Sequence, residues 1–205
     1  MDFSKQKEQI LQFVEMLKEA NLLGDNDSVS MRVADSVVAT KQGADLKNIS
    51  EEDIEVRKLS SANGLHDAIY IAREDIKAVI TNHAKNCVTV AECGVKIPAV
   101  LDDLAQIIGP SVKVAKNGSA KQVIKTLKGR NACLVKGGGV VATGRTLDEA
   151  YTGSLVLEKG AKTFIETTAL GGAVLVPYFD CLLQRFVYKM KYSKKDQDAK
   201  AAEAE

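Results

Sequence analysis

The sequence predicts an α/β fold, a mixed central β-sheet covered by helices on both faces. Three observations carry this reading. An amphipathic helix opens the chain, an alternating two-strand pattern follows it, and helix-like and strand-like runs then alternate to about residue 170.

Taken in order, residues 3–23 place Ile10, Phe13, Val14 and Leu17 at helical spacing, with Asp2 or Ser4 to cap the start and Gly24 to stop the end. Ser28–Val33 and Ser36–Thr40 alternate in polarity around Ala34-Asp35, which predicts an antiparallel hairpin. Residues 49–56 read as a loop entering a short strand, with Ser50 capping a turn through Glu51 and Asp53. Helices are predicted over 64–73, 86–93, 102–108 and 119–127, the last with Val123, Ile124 and Leu127 inward and Gly129 as its stop. Strands are predicted over 78–81, 112–115, 132–135 and 140–142. Residues 146–170 form a long helix with Thr146 as N-cap and Glu149 as its capping-box partner. From 177 to 192 the chain turns aromatic and basic, and its last thirteen residues are polar and low in complexity, which predicts a frayed helix or disorder. The expected organisation is therefore one domain over 1–176 and a C-terminal segment over 177–205.

Composition excludes several function classes. Lys+Arg number 28 against 27 Asp+Glu, so no global field draws nucleic acid or a membrane. No apolar run approaches the ~20 residues of a membrane span. The opening MDFSKQKEQ lacks the apolar stretch of a signal peptide. Cys87, Cys93, Cys133 and Cys181 show no Cys-x-x-Cys spacing and read as free thiols of a cytoplasmic protein, rather than as disulfides or a metal cluster.

Two stretches point to a particular family. Residues 65–83 read LHDAIYIAREDIKAVITNH and residues 132–144 read ACLVKGGGVVATG. In spacing and context they resemble the ligand-bearing segments of class II aldolase/adducin domains, of the L-fuculose-phosphate aldolase kind. The resemblance runs from about residue 5 to about 172 and implies the fold stated above. It also implies zinc held by a His-x-His pair and an Asn-His-Gly. Here those positions read Thr81-Asn82-His83 and Gly137-Gly138-Gly139. The family's phosphate-binding Gly-Asn-Ile-Ser is matched by Asp27-Ser28-Val29-Ser30, and its Thr-Pro-Ser-Gly by Thr40-Lys41-Gln42-Gly43. Its Ser-Ser-Glu is matched by Ser60-Ser61-Ala62, which keeps both hydroxyls and lacks the carboxylate.

Zinc in such a site polarises the carbonyl of a dihydroxyacetone-type donor, which needs three protein ligands and open coordination positions. One imidazole of three remains, and the proton-shuttling carboxylate is absent. The resemblance therefore implies a divergent member without zinc-dependent aldolase activity, with His83 as a vestigial metal position and no cofactor expected. Its ligand would be a small phosphorylated or acidic metabolite held by Ser28, Ser30, Thr40, Gly43, Ser60 and Ser61, since hydroxyls and loop N–H groups bind anions without metal. The competing reading of these residues is that they cap helices and fill turns. Likewise His83 is either a ligand or base, or a hydrogen-bonded structural residue, and a site rebuilt from His83 with Cys87 or Cys133 stays open. His66 reads as structural, tying its helix to a neighbouring loop. Lys41 and Lys85 are either pocket cations or solvated surface lysines.

Two further functions stand beside the first. One is an aldehyde-lyase acting on a sugar phosphate through a rebuilt zinc site. The other is a noncatalytic, adducin-like interaction module. By resemblance the partner is a second copy of the chain, in a tetramer, and the basic-aromatic segment from Phe179 to Tyr192 reads as a subunit contact or an RNA contact, with packing on a neighbour the first choice. The glycines 137–139 lack the Lys-Ser/Thr ending of a phosphate loop and read as a tight turn between strands that leaves volume open.

Overall fold

The computed structural model describes residues 2–61 and 64–202, with side-chain surroundings as far as Lys191. Ala62, at the position of the family's carboxylate, lies outside them. Helix α1 spans Ser4–Glu19 and buries Ile10, Val14 and Leu17. Asp2 caps it, its Oδ1 accepting from the Ser4 N–H at 3.0 Å and the Ser4 hydroxyl at 2.7 Å. The helix ends before residue 23 because Asn21 takes the left-handed conformation (φ 55°) and the Leu22 N–H reaches back to the Leu17 carbonyl at 3.0 Å. Gly24 is thus free for another role.

Strands β1 (Ser28–Val33) and β2 (Ser36–Thr40) form the predicted antiparallel hairpin, turning at Ala34 (φ 52°). A 3-10 turn over Glu51–Asp53 follows, closed by Asp53 accepting from the Ser50 N–H and hydroxyl, both at 2.9 Å. The chain continues through β3 (Ile54–Lys58), α2 (Leu65–Ala72), β4 (Ala78–Asn82), α3 (Lys85–Cys93), β5 (Ile97–Pro98), α4 (Asp102–Ile107), β6 (Ser111–Val112), β7 (Val114–Ala115) and α5 (Ala120–Leu127). It ends with β8 (Ala132–Val135), β9 (Gly139–Gly144), α6 (Leu147–Ala169) and α7 (Tyr178–Ala202).

Among the described residues the central sheet has seven strands in the order β3-β2-β1-β4-β9-β8-β7. Every neighbouring pair is antiparallel except β7 with β8, so the sheet is mixed as predicted. The strand predicted over 112–115 divides. Ser111–Val112 pairs with β5 outside the main sheet, and Val114–Ala115 joins β8.

Period-two alternation supplies both faces with apolar side chains. Val79, Cys133, Val135 and Val141 pack with Ile69 and Tyr70 of α2 and Val123 and Leu127 of α5. Ala78, Ile80, Leu134, Val140 and Ala142 pack on the other face with residues of α1, α3, α4 and α6. Thr146 accepts from the Glu149 N–H at 3.2 Å as predicted, but Glu149 answers to the Arg145 N–H at 2.9 Å, one residue further back. Gly160 lets α6 approach α4, since a Cβ there would overlap Leu104. Backbone of the C-terminal segment stays helical through Ala202. Among the described residues no helix is long and apolar enough to cross a membrane.

Candidate functional site

The register places Ser28 opposite Thr81 at the open end of the β1–β2 hairpin, beside the end of β4 and the start of β9. Two polar constructions stand there, each built around one of the chain's two histidines.

The first is buried. His66, on the first turn of α2, places Nε2 3.1 Å from the Ser28 hydroxyl and Nδ1 2.8 Å from the Ser30 hydroxyl. Ser28 continues to the Thr81 hydroxyl at 2.8 Å, and Ser30 to the Tyr70 hydroxyl at 2.7 Å. The chain Thr81–Ser28–His66–Ser30–Tyr70 thus links β4, β1 and α2 through neutral groups. Burial holds the His66 pKa down to about 4, so the ring is uncharged at neutral pH and offers one donor and one acceptor. Burial pushes the Tyr70 phenol upward. His66 therefore ties α2 to a strand, where the sequence reading expected a loop.

The second is half open. His83 follows β4, and its Nδ1 lies 2.6 Å from Oδ1 of the buried Asp27. Oδ2 of Asp27 accepts from the Gly24 N–H, also at 2.6 Å. The Asp27 hydrogen bond raises the imidazole pKa above its ordinary value. Both sides of the ring's stem are closed by glycines. A Cβ on Gly24 would stand 2.5 Å from His83 Cβ, and one on Gly139 would run into the Asn82 carbonyl and press on the ring at 3.1 Å. The His83 N–H is held by the Leu22 carbonyl at 3.0 Å. With Nδ1 committed, the edge left for a ligand is Nε2.

Sequence reasoning missed Asp27. The available signal was a carboxylate standing where the matched motif has glycine. It also took Gly24 for a helix stop. The 137–139 segment is a tight turn between β8 and β9, with Gly137 and Gly139 both at φ 70°, but its space is not all open, because Gly139 is filled by Asn82 and His83. Asn82 itself faces away, donating to Ser154 of α6 at 2.9 Å.

Thr40 is buried beside Ser28, its hydroxyl accepting from the Val29 N–H at 3.2 Å. Gly43 lies in the exposed turn just beyond, at φ 77°, with open space around it. Ser60 and Ser61 are exposed in a 3-10 turn after β3, and the adjoining Leu59 N–H is tied to the Asp35 carbonyl at 2.8 Å, at the turn end of the hairpin. Lys41 and Lys85 are both exposed. Cys87 and Cys133 are buried thiols whose pKa values burial raises, that of Cys133 to about 12. Glu158 of α6 accepts from the Asn86 and Cys87 N–H groups, both at 3.0 Å, and so caps α3.

A cavity of about 200 Å³, lined by Arg73, Thr143, Arg145, Glu149 and Lys189, opens at the opposite end of β4 and β9, beside the Ala78–Gly144 pair. The histidine constructions and that cavity are separate places.

A model of the family described as Class II Aldolase and Adducin N-terminal domain matches residues 26–165. The chain belongs to this family. It is 27% identical over 184 residues to a 5-methylthioribulose-1-phosphate/5-deoxyribulose-1-phosphate aldolase of Rhodospirillum rubrum, covering 82% of each chain. It is 26% identical over 197 residues to a 5-deoxy-D-ribulose 1-phosphate aldolase of Bacillus thuringiensis, covering 86% of this chain and 92% of that one. Among solved structures, an L-fuculose 1-phosphate aldolase superposes with a TM-score of 0.86 at 25% identity, over 92% of this chain and 98% of the other. The fold is therefore that of class II aldolases.

The zinc implied by the family finds a poor donor set here. Thr81 and Gly138 occupy two ligand positions without a metal-binding side chain, and among the described residues no three His, Cys, Asp or Glu side chains gather around a common point. One Nε2 falls short of the three protein ligands a catalytic zinc uses.

Proposed function

We propose that this class II aldolase-family protein works without zinc, binding a small phosphorylated or acidic metabolite at the Asp27–His83 end of the sheet. One observation carries the reading. His83 holds Nδ1 on the buried Asp27 carboxylate, which raises the imidazole pKa and so supports a charged ring with Nε2–H turned to an anion, while among the described residues no group of three His, Cys, Asp or Glu side chains gathers to hold a metal. Ser28 and Thr81, both partly exposed, and the turn N–H groups around Gly43 border the same end of the sheet and supply neutral donors. Ser30 and Thr40 act behind them by fixing β1.

A second reading is favoured by the relatives, whose names are those of sugar-phosphate aldolases and whose lengths this chain nearly spans. It is an aldehyde-lyase acting on a sugar phosphate with a metal held in some other way.

Calorimetric titration with inorganic phosphate and with dihydroxyacetone phosphate, in chelator, separates the two. The first reading predicts saturable binding in chelator that His83→Ala abolishes. Binding or retro-aldol cleavage only after zinc loading would establish the second.

A further inference from the structure

The cavity at the far end of β4 and β9 lies where α7 meets the body, and cations crowd its wall. Arg73 follows α2, Arg145 follows β9, and Lys189 comes from α7. Arg185 of α7 stands behind Asn131, another wall residue, and donates to its Oδ1 at 3.0 Å. Arg185 is only 6% exposed, so water does little to solvate its charge. Its hydrogen bonds go to neutral oxygens, that of Asn131 and the carbonyls of Gln106 and Ile107 at 3.2 and 3.0 Å. A Cβ placed on Gly109 would lie 3.4 Å from Arg130 Cγ and 3.8 Å from Arg185 Cζ, so these two side chains are neighbours. Arg130 also donates to neutral oxygens, those of Ser111 and Lys128. Glu149 is engaged by Arg145 through Nε and Nη2. Asp75, forked on Arg73 through both oxygens, is the carboxylate that also faces Arg185 and Lys189. Three guanidiniums, those of Arg73, Arg130 and Arg185, thus stand with Asp75 before Lys189 adds its own charge.

Such crowding is unfavourable until an anion enters. Burial and then Arg73 hold the Arg185 pKa down to about 10, and burial and then Arg185 and Arg73 lower that of Lys189 against the pull of Asp75. Neutral donors are fixed beside the charges. A guanidinium only donates, so Asn131 must give Arg185 its oxygen, which leaves Nδ2 to donate elsewhere. The Asn131 backbone is held as well, its carbonyl accepting from the Thr143 N–H at 2.7 Å and hydroxyl at 2.8 Å. Size and layout narrow the ligand. The cavity, about 200 Å³, is compact beside the roughly 300–1,000 Å³ of drug-sized pockets. Its cations stand on two walls, Arg73 and Arg145 on the body and Arg185 and Lys189 on α7, which suits an anion with one charged group for each. A diphosphate carries about three charges near neutral pH, against about two for a single phosphate, and packs them in little volume. Guanidinium forks match phosphate oxygens. We propose that this cavity is a second anion site, taking a diphosphate group that bridges α7 and the body. The site stands independently of what the Asp27–His83 end binds, since the two lie at opposite ends of β4 and β9. A bound diphosphate holds α7 to the body, because a ligand of the docked helix favours docking by mass action.

Calorimetric titration of the full-length His83→Ala chain with inorganic pyrophosphate, in chelator, reads this site apart from the other. One saturable site is expected. Inorganic phosphate, which meets one wall only, should not saturate it in the same range. Added to that chain, Lys189→Gln, at an exposed position, should raise the pyrophosphate dissociation constant about ten-fold. Asp75→Asn should lower it about three-fold, because it removes the carboxylate that competes for the same cations. A gain in affinity is what a merely structural Asp75 would not give. Each variant is checked for native circular dichroism. With ADP as titrant, equal or tighter binding makes the group part of a nucleotide, and refusal makes it free pyrophosphate; both sustain the site. The inference fails if pyrophosphate does not saturate the chain, if both variants bind it as their parent does, or if citrate binds more tightly than pyrophosphate. Pyrophosphate binding that is present in the wild-type chain and lost in His83→Ala would also overturn it, by assigning that anion to the Asp27–His83 end.

Discussion

The chain's two histidines stand at the same end of the sheet and are opposite in kind. His66 is sealed between two serine hydroxyls, is neutral, and serves to join α2 to the sheet. His83 is half open, paired with a buried carboxylate, and biased toward its charged form. Residue type is the same in both. The difference comes from the partner and the depth, since desolvation opposes charge in the first and a carboxylate supports it in the second. A lone histidine is therefore assigned a role by what touches it, and of the two only His83 keeps part of its ring open to solvent.

The contrast has measurable consequences. The largest is expected for Asp27→Ala, which leaves the His83 and Gly24 N–H groups without their acceptor. It should cost about 2–3 kcal/mol in urea unfolding, since the Gly24 N–H loses its acceptor while the half-open imidazole can turn to water. It should also bring the His83 titration back toward the ordinary histidine value. A loss below 1 kcal/mol would mean that the pair does not organise this end of the sheet.

Next is the pH dependence of stability, which has two limbs. His66 is neutral in the folded chain down to about pH 4, whereas the unfolded chain binds its proton below about 6.5. Stability therefore falls as pH drops through that window, by about 3 kcal/mol. His83 has the opposite sign. Its folded pKa lies above 6.5, so its contribution is full below 6.5 and is lost as pH rises through the folded value. Denaturant titrations across pH should show His66→Gln flattening the acid limb and His83→Gln the neutral one. Exchange of those assignments would break the comparison.

A smaller loss, about 2 kcal/mol, is expected for Gly139→Ala, because its Cβ meets the Asn82 carbonyl and His83 at a positive φ. Tyr70→Phe should cost least, about 1 kcal/mol, since it removes one neutral partner of Ser30 and leaves His66 in place. Both are read from thermal or chemical midpoints.

Much of the fold was legible because alternation and capping are local. The β1–β2 hairpin, the Thr146 cap and the inward face of α5 follow from spacing within a few residues. Failures occurred where a distant group decided the outcome. Asn21 ends α1 by a backbone bond that hydrophobic spacing does not encode. Residues 112–115 divide because β5 and β8 compete for one short extended run. In the site, the motif match singled out Ser28, Ser30, Thr40, Gly43, Ser60 and Ser61 for a ligand and His83 for a metal position, and hydrogen bonds join Ser28 and Ser30 through His66. Asp27 escaped notice because its partner is 56 residues away in sequence.

The most direct test is nitrogen NMR of the two labelled imidazoles during separate titrations with zinc and with inorganic phosphate. The zinc-free account predicts that phosphate shifts the His83 Nε2 resonance saturably, that zinc leaves it unchanged at stoichiometric concentration, and that His66 responds to neither. Stoichiometric, chelator-resistant zinc on His83 Nε2 would contradict it.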